Sequence, residues 1–162
     1  MAVWPPPAVL DRIASLDRPE MPGIRWTTRQ HWHVTLRFLG DVADLERSDL
    51  DTALAAVAAS AGPATVTVGP ATRTLGQALL VVPVGGLDRL AAAVHAVTGA
   101  GDRPFVGHMT LARARRKARV PHGLGGTPLE AVWTATEMVL ARSRLDAAGA
   151  VYEPAARYRL GG

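Results

Sequence analysis

Hydrophobic and polar positions change period along the chain, and the changes mark its elements. After the Pro5-Pro6-Pro7 punctuation, Val9, Leu10, Ile13 and Leu16 fall at helical spacing, and Pro19 and Pro22 close that segment. Trp32, Val34, Leu36 and Phe38 then alternate with His31, His33, Thr35 and Arg37, which predicts a strand with one apolar face, ended by Gly40 and Asp41. Residues 44 to 60 carry Leu45, Leu50, Leu54 and Val57 among alanines, a second helix that stops before Gly62-Pro63. Short strands follow at 65–68 and 78–84, with a turn-rich stretch between them. Gly85-Gly86 leads into a third helix with Leu87, Leu90, Val94 and Val97 on one face. A strand over 106–113, a polar loop over 115–128 and two closing strands near 133–145 and 151–160 complete the chain.

This order of helices and strands predicts an α+β body in which helices pack outside antiparallel sheets. At 162 residues and 17.1 kDa the chain suits one domain, and no long Pro- or Ser-rich linker divides it. The order helix, motif strand, helix, strands, helix, motif strand, strands suggests two similar halves.

The motif is His-x-Thr-Leu, at His33-Val34-Thr35-Leu36 and again at His108-Met109-Thr110-Leu111. From composition, one occurrence is expected roughly 0.05 times, so two are informative. In a strand, residues i and i+2 share a face, and each motif therefore projects an imidazole and a hydroxyl side by side. Val34, Leu36 and Phe38, and likewise Met109 and Leu111, point the other way into the core. An imidazole, with an unperturbed pKa of about 6.5, serves as acid or base near neutral pH. Two in one cleft can divide these roles, one taking a proton from water and the other protonating a leaving oxygen. The hydroxyls can donate to non-bridging phosphate oxygens, and nothing in the scheme requires a metal or other cofactor.

Composition narrows the surroundings. The chain has no cysteine, which excludes disulfides, thiolate metal sites and cysteine nucleophiles and fits a reducing cytoplasm. Its start lacks the pattern of a secretory signal, and no apolar run approaches the roughly 20 residues needed to span a bilayer, so no membrane partner is expected. The net charge is only +4, but 17 of the 18 basic residues are arginine, whose planar fork suits phosphate. Arg113, Arg115, Arg116, Lys117 and Arg119 directly follow the second motif, where a basic run can hold a nucleic-acid backbone.

The stretches Trp32-His33-Val34-Thr35-Leu36-Arg37-Phe38-Leu39-Gly40-Asp41-Val42 and Gly107-His108-Met109-Thr110-Leu111-Ala112-Arg113 resemble the two signatures of the 2H phosphoesterases. Within that superfamily the likeness is to the RNA 2′,3′-cyclic phosphodiesterases, also called 2′-5′ RNA ligases. It extends over nearly the whole chain, with Gly23-Ile24-Arg25-Trp26, Arg103-Pro104-Phe105 and Arg142-Ser143-Arg144-Leu145 as further points of similarity. The resemblance implies a bilobal, pseudo-two-fold α+β fold in which each half supplies one His-x-Thr strand to a central cleft, and hydrolysis of RNA 2′,3′-cyclic phosphate ends to 2′-phosphomonoesters, together with reversible 2′-5′ RNA ligation. It implies no cofactor and no metal. It assigns His33 as proton donor, His108 as proton acceptor, and Thr35, Thr110 and Arg113 to the phosphate. Strand parity puts Arg113 on the face opposite His108, so a twist or bulge is needed to bring it round. Two departures stand out. The family's opening strand is cut here to Met1-Ala2-Val3, either truncated or assigned a late start, which threatens the sheet and any substrate contact from that strand more than the catalytic pair. Gly107 replaces a frequent proline and is expected to be tolerated.

Other residues carry weaker expectations. Arg37 shares the motif face and is a further phosphate candidate, or an ordinary exposed arginine. His31 and His33 form a His-x-His pair that could bind metal given a third ligand. His95 suits a structural role in the third helix, and His122 a loop. Trp4, Trp26, Trp32 and Trp133 suit the core, with Trp26 and Phe105 as candidates for a base contact. Three functions stay open on the residues alone: a metal-free cyclic phosphodiesterase on RNA ends, a metal-dependent phosphohydrolase, and a non-catalytic RNA-binding module. Nothing in the sequence demands more than a monomer.

Overall fold

A computed structural model gives the fold over residues 1–42, 47–99, 104–146 and 149–161. Within these residues three helices, α1 (Pro7–Ala14), α2 (Arg47–Ala61) and α3 (Asp88–Thr98), accompany ten strands. The strands are β1 (Ala2–Val3), β2 (Ile24–Trp26), β3 (Val34–Thr35), β4 (Ala64–Val68), β5 (Arg73–Leu75), β6 (Leu79–Gly85), β7 (His108–Ala114), β8 (Ala131–Ala135), β9 (Glu137–Asp146) and β10 (Gly149–Arg159). They form two sheets with antiparallel pairing, one ordered β10-β9-β1-β3 and the other β2-β7-β6-β4-β8, with β5 beside β6. Among the described residues no helix is long and apolar enough to cross a membrane.

Each helix buries the stripe that its spacing marks: Val9 and Ile13 of α1, Leu54 and Val57 of α2, Leu90 and Val94 of α3. These meet the inner faces of the sheets in one hydrophobic cluster with Val34, Leu36, Val66, Val82, Met109 and Met138. Tyr158 of β10 donates its hydroxyl hydrogen to Asp51 and fastens α2 to the first sheet.

The sheets do not follow the halves of the chain. β9 and β10, from the C-terminal end, complete the sheet that holds β1 and β3, while β2 crosses to pair with β7. The residues expected as one strand near 133–145 divide at Thr136 into β8 and β9, which enter different sheets. The turn-rich stretch before β6 contains the short strand β5. Two-residue β1 lies between β9 and β3, and Ala2 and Val3 are buried there. Leu45 and Arg103 lie outside the described residues.

Two apolar assignments fail. Phe38 is 79% exposed, because regular pairing of the first motif ends at Thr35 and the alternation has no sheet to enforce it afterwards. Val97, in the last turn of α3, is 42% exposed.

Candidate active site

The two motifs meet where the sheets adjoin. β3 belongs to the first sheet and β7 to the second, and their residues approach within 8 Å between Cα atoms. In the first motif Trp32, Val34 and Leu36 are buried while His33 is half-buried and Thr35 exposed. In the second, Met109 and Leu111 are buried and His108 and Thr110 are half-buried. The alternation thus holds through both His-x-Thr units: apolar residues anchor the strand, and the imidazoles and hydroxyls face outward.

Beyond Thr110 the alternation breaks. Val81 of β6 pairs with Thr110 and Leu80 pairs with Ala112, so Leu111 is an extra residue in β7. A bulge of this kind inverts the facing of everything after it. On β6, Pro83, Val81 and Leu79 share one face, and their partners are His108, Thr110 and Arg113. Leu111 and Ala112 are both buried on the other side. The bulge therefore turns Arg113 onto the face of the second motif's histidine and threonine.

The bulge is tied to the first motif. The Thr27 backbone N–H donates to the Leu111 carbonyl at 2.9 Å. The Thr27 hydroxyl is shared between the carbonyls of Thr110 and Leu111, each at 2.8 Å, and it accepts the indole N–H of Trp32 at 2.9 Å. Trp32 is the residue before His33, so one hydroxyl links the two motifs.

His108 has a defined orientation. Its Nδ1–H donates to the Val106 carbonyl at 2.7 Å, which leaves the Nε2 lone pair free as an acceptor. Gly107, between them, is required by packing: a Cβ there would lie 2.1 Å from the Val84 carbonyl oxygen. Glycine is thus accommodated at position 107, where backbone of β6 fills the space a side chain would occupy.

His33 lies between two aromatic rings. Trp4 is tilted over it at a centroid distance of 5.0 Å, and Tyr152 of β10 meets it edge-on at 4.6 Å. Its Nδ1 is buried without a hydrogen-bond partner among the described residues. Burial, followed by the positive charges of the N-terminal ammonium, His31, Arg113 and His108, lowers the His33 pKa from 6.5 to about 4. Trp4 thus stands at the site rather than in the core, and Tyr152 is a site residue that strand alternation alone does not reveal.

The other candidates separate. His31 has both ring nitrogens engaged: Nδ1 accepts from the Thr28 hydroxyl and backbone N–H at 2.8 and 3.3 Å, and Nε2–H donates to the Ala150 carbonyl at 2.9 Å. That contact holds β10, and with it Tyr152, against the first motif. Among the described residues no three His, Cys, Asp or Glu side chains assemble as metal ligands. His95 donates from Nε2 to the Leu36 carbonyl at 3.0 Å and docks α3 on the end of the motif. His122 is exposed in a short 3₁₀ turn. The Arg37 guanidinium donates to the Gly99 carbonyl, 3.1 Å away, just past the C-terminus of α3. Trp26 pairs with Ala112 across the β2–β7 ladder, on the face opposite Arg113, and lines a cavity of about 220 Å³ with Leu16, Leu80, Leu111 and Leu124. That register turns Trp26 away from the face that carries Arg113. Phe105 is partly buried against the core.

Residues 3–72, which include the first motif, match the family model described as LigT like Phosphoesterase. The whole chain superposes on TT0787 of Thermus thermophilus with a TM-score of 0.85 and 24% identity, covering 99% of this chain and 96% of that one. E. coli LigT complexed with 3'-AMP superposes with a TM-score of 0.76 and 24% identity, again over 99% and 96% of the two chains. Its apo form gives a TM-score of 0.77, with 24% identity over 99% and 95%. No curated protein matches the chain by sequence. The resemblance to the 2H phosphoesterases expected from the paired motifs is met by the family model over the first of them and by the LigT-type fold over the whole chain.

Proposed function

We propose that this chain hydrolyses RNA 2′,3′-cyclic phosphodiester ends to 2′-phosphomonoesters by two-histidine acid–base catalysis without a metal, with reversible 2′-5′ ligation as the same displacement made by a 5′ hydroxyl in place of water. The observation that supports this reading is the approach of the two motifs: β3 and β7 come from different sheets yet lie within 8 Å between Cα atoms, with the histidines and threonines of both off the buried face. The complexes that E. coli LigT forms with 3'-AMP, ATP and phosphate support a phosphate-bearing nucleotide as ligand here.

In this reading His108 Nε2 takes a proton from water as the water oxygen bonds to phosphorus. The bond from phosphorus to the 3′ oxygen breaks, and His33 gives its proton to that oxygen. One water is consumed, the 2′-phosphate stays on the ribose, and each histidine exchanges one proton. Thr35 and Thr110 donate to the non-bridging oxygens, and Arg113 opposes their charge. Arg37 braces α3 through Gly99 and adds its charge to the field around the phosphate. Without a bound anion His33 is neutral at pH 7, since its pKa is about 4. An anionic phosphate offsets its cationic neighbours and favours the protonated form that donation requires.

The test is turnover of a dinucleotide ending in a 2′,3′-cyclic phosphate, in the presence of a chelator, with the product identified by phosphorus NMR. A 2′-phosphate is expected. A 3′-phosphate, loss of activity to the chelator or binding without turnover would each overturn the reading, the last two in favour of a metal-dependent hydrolase and a non-catalytic RNA-binding module. The low pKa of free His33 favours a second assignment in which the two histidines exchange roles on the same substrate.

A further inference from the structure

Arg25 of β2 is the direct cross-strand partner of Arg113 of β7. Like charges opposed in this way destabilise an antiparallel pair. Both side chains are exposed, and neither has an ion-pair partner among the described residues. The ladder continues one step further, where the Arg115 N–H donates to the Gly23 carbonyl at 2.7 Å. Arg115 is also exposed, and opposite it Gly23 presents no side chain. The β7 bulge turns Arg113 onto the motif face, and the pairing puts Arg25 there with it. The result is a row of guanidinium groups that begins at the phosphate expected between the histidines and runs away from it across the strand pair. Trp26 and Ala112, on the reverse side, are packed inward and keep the arginines facing out.

We propose that Arg25 forms a second phosphate subsite beside Arg113, for the phosphodiester that joins the terminal nucleotide to the one before it. The substrate class is then an oligonucleotide with a cyclic end rather than a cyclic mononucleotide. This rests on the phosphodiesterase reading above. Arginine suits the task because its fork can pair with two oxygens of one phosphate, and because bound anion relieves the repulsion between the two guanidinium groups.

The test compares kcat/KM for a 2′,3′-cyclic mononucleotide and for a dinucleotide with the same cyclic end. R25Q is expected to lower the ratio of dinucleotide to mononucleotide about tenfold, chiefly through KM, and to flatten the salt dependence of dinucleotide binding by about one phosphate contact. R25K, which keeps the charge without the fork, should fall between. An unchanged ratio in R25Q overturns the subsite while leaving the phosphodiesterase reading intact. If the unaltered protein turns over neither substrate, that reading fails instead, and equilibrium binding decides on the subsite. R25Q must then weaken a 3′-phosphorylated dinucleotide more than inorganic phosphate, and equal weakening overturns it.

Discussion

The indole N–H of Trp32 donates to the Thr27 hydroxyl at 2.9 Å, and that hydroxyl also meets the two carbonyls of the β7 bulge. The residue that precedes one motif histidine is thereby fixed to the irregularity that turns Arg113 toward the other. Thr27→Val keeps the shape of the side chain and removes both functions of the hydroxyl. A buried donor left unpaired costs about 1–3 kcal/mol, so Tm should fall by several degrees. Turnover should fall further than the loss of folded protein explains, while Thr27→Ser recovers most of it. Equal activity of the valine and serine variants, per folded molecule, would mean that the bulge holds its shape unaided.

Acid and base can be told apart by changing what leaves. A p-nitrophenyl phosphodiester expels an oxygen that needs no proton, whereas a ribose 3′ oxygen does. His33→Ala and His108→Ala should each lower turnover of the cyclic-ended dinucleotide by the 10²–10⁴-fold typical of such groups. On the p-nitrophenyl ester the His33 variant should recover most of its loss and the His108 variant should not. The converse pattern assigns the roles the other way, as the low pKa of free His33 would have it.

Position 107 offers a test of packing. The backbone of Val84 stands 2.1 Å from where a Cβ would be placed on Gly107, and strand backbone cannot move aside as a flexible side chain can. Gly107→Ala should destabilise by about 1–3 kcal/mol through overpacking. It should also displace Val106, whose carbonyl orients His108. A chemical-denaturation midpoint equal to that of the unaltered protein would show that the β6–β7 junction has more room than this.

Much of the site is legible in the alternation of the chain, since Val34 and Leu36, and Met109 and Leu111, are buried beneath their histidines and threonines. The rest depends on distant partners. Arg113 needed the bulge, and its one local trace is the adjacent apolar pair Leu111-Ala112 in an otherwise alternating strand, both buried on one side. Phe38 continues the motif's alternation but lies beyond the last paired residue of β3, where no neighbouring strand imposes a facing. Trp4 and Tyr152 reach His33 only because β1 and β9 pair and β10 is held by His31. Their sequence neighbourhoods carry no sign of it. Gly107 is likewise required by the carbonyl of Val84, on a separate strand, which strand periodicity does not register.

Acid should destabilise the protein through His33. Its pKa is about 4 when folded, lowered first by burial and then by the cationic groups around it, and about 6.5 when unfolded. Above pH 6.5 both states hold the ring neutral, and the preference for the neutral form adds nothing that changes with pH. Between pH 6.5 and 4 the unfolded chain gains a proton that the folded chain does not, so stability falls as pH falls, and the loss is complete below pH 4. The difference amounts to roughly 3 kcal/mol at about 1.4 kcal/mol per pH unit. His33→Asn, which cannot titrate, should remove that part of the acid sensitivity in denaturation curves taken from pH 7 to 4. Inorganic phosphate should raise the His33 titration seen by NMR and stabilise the fold most in the same acidic window, because anion and ring proton bind together. A free His33 that titrates near 6.5, or one that phosphate leaves unmoved, would mean that the ring is neither buried among these charges nor next to the anion.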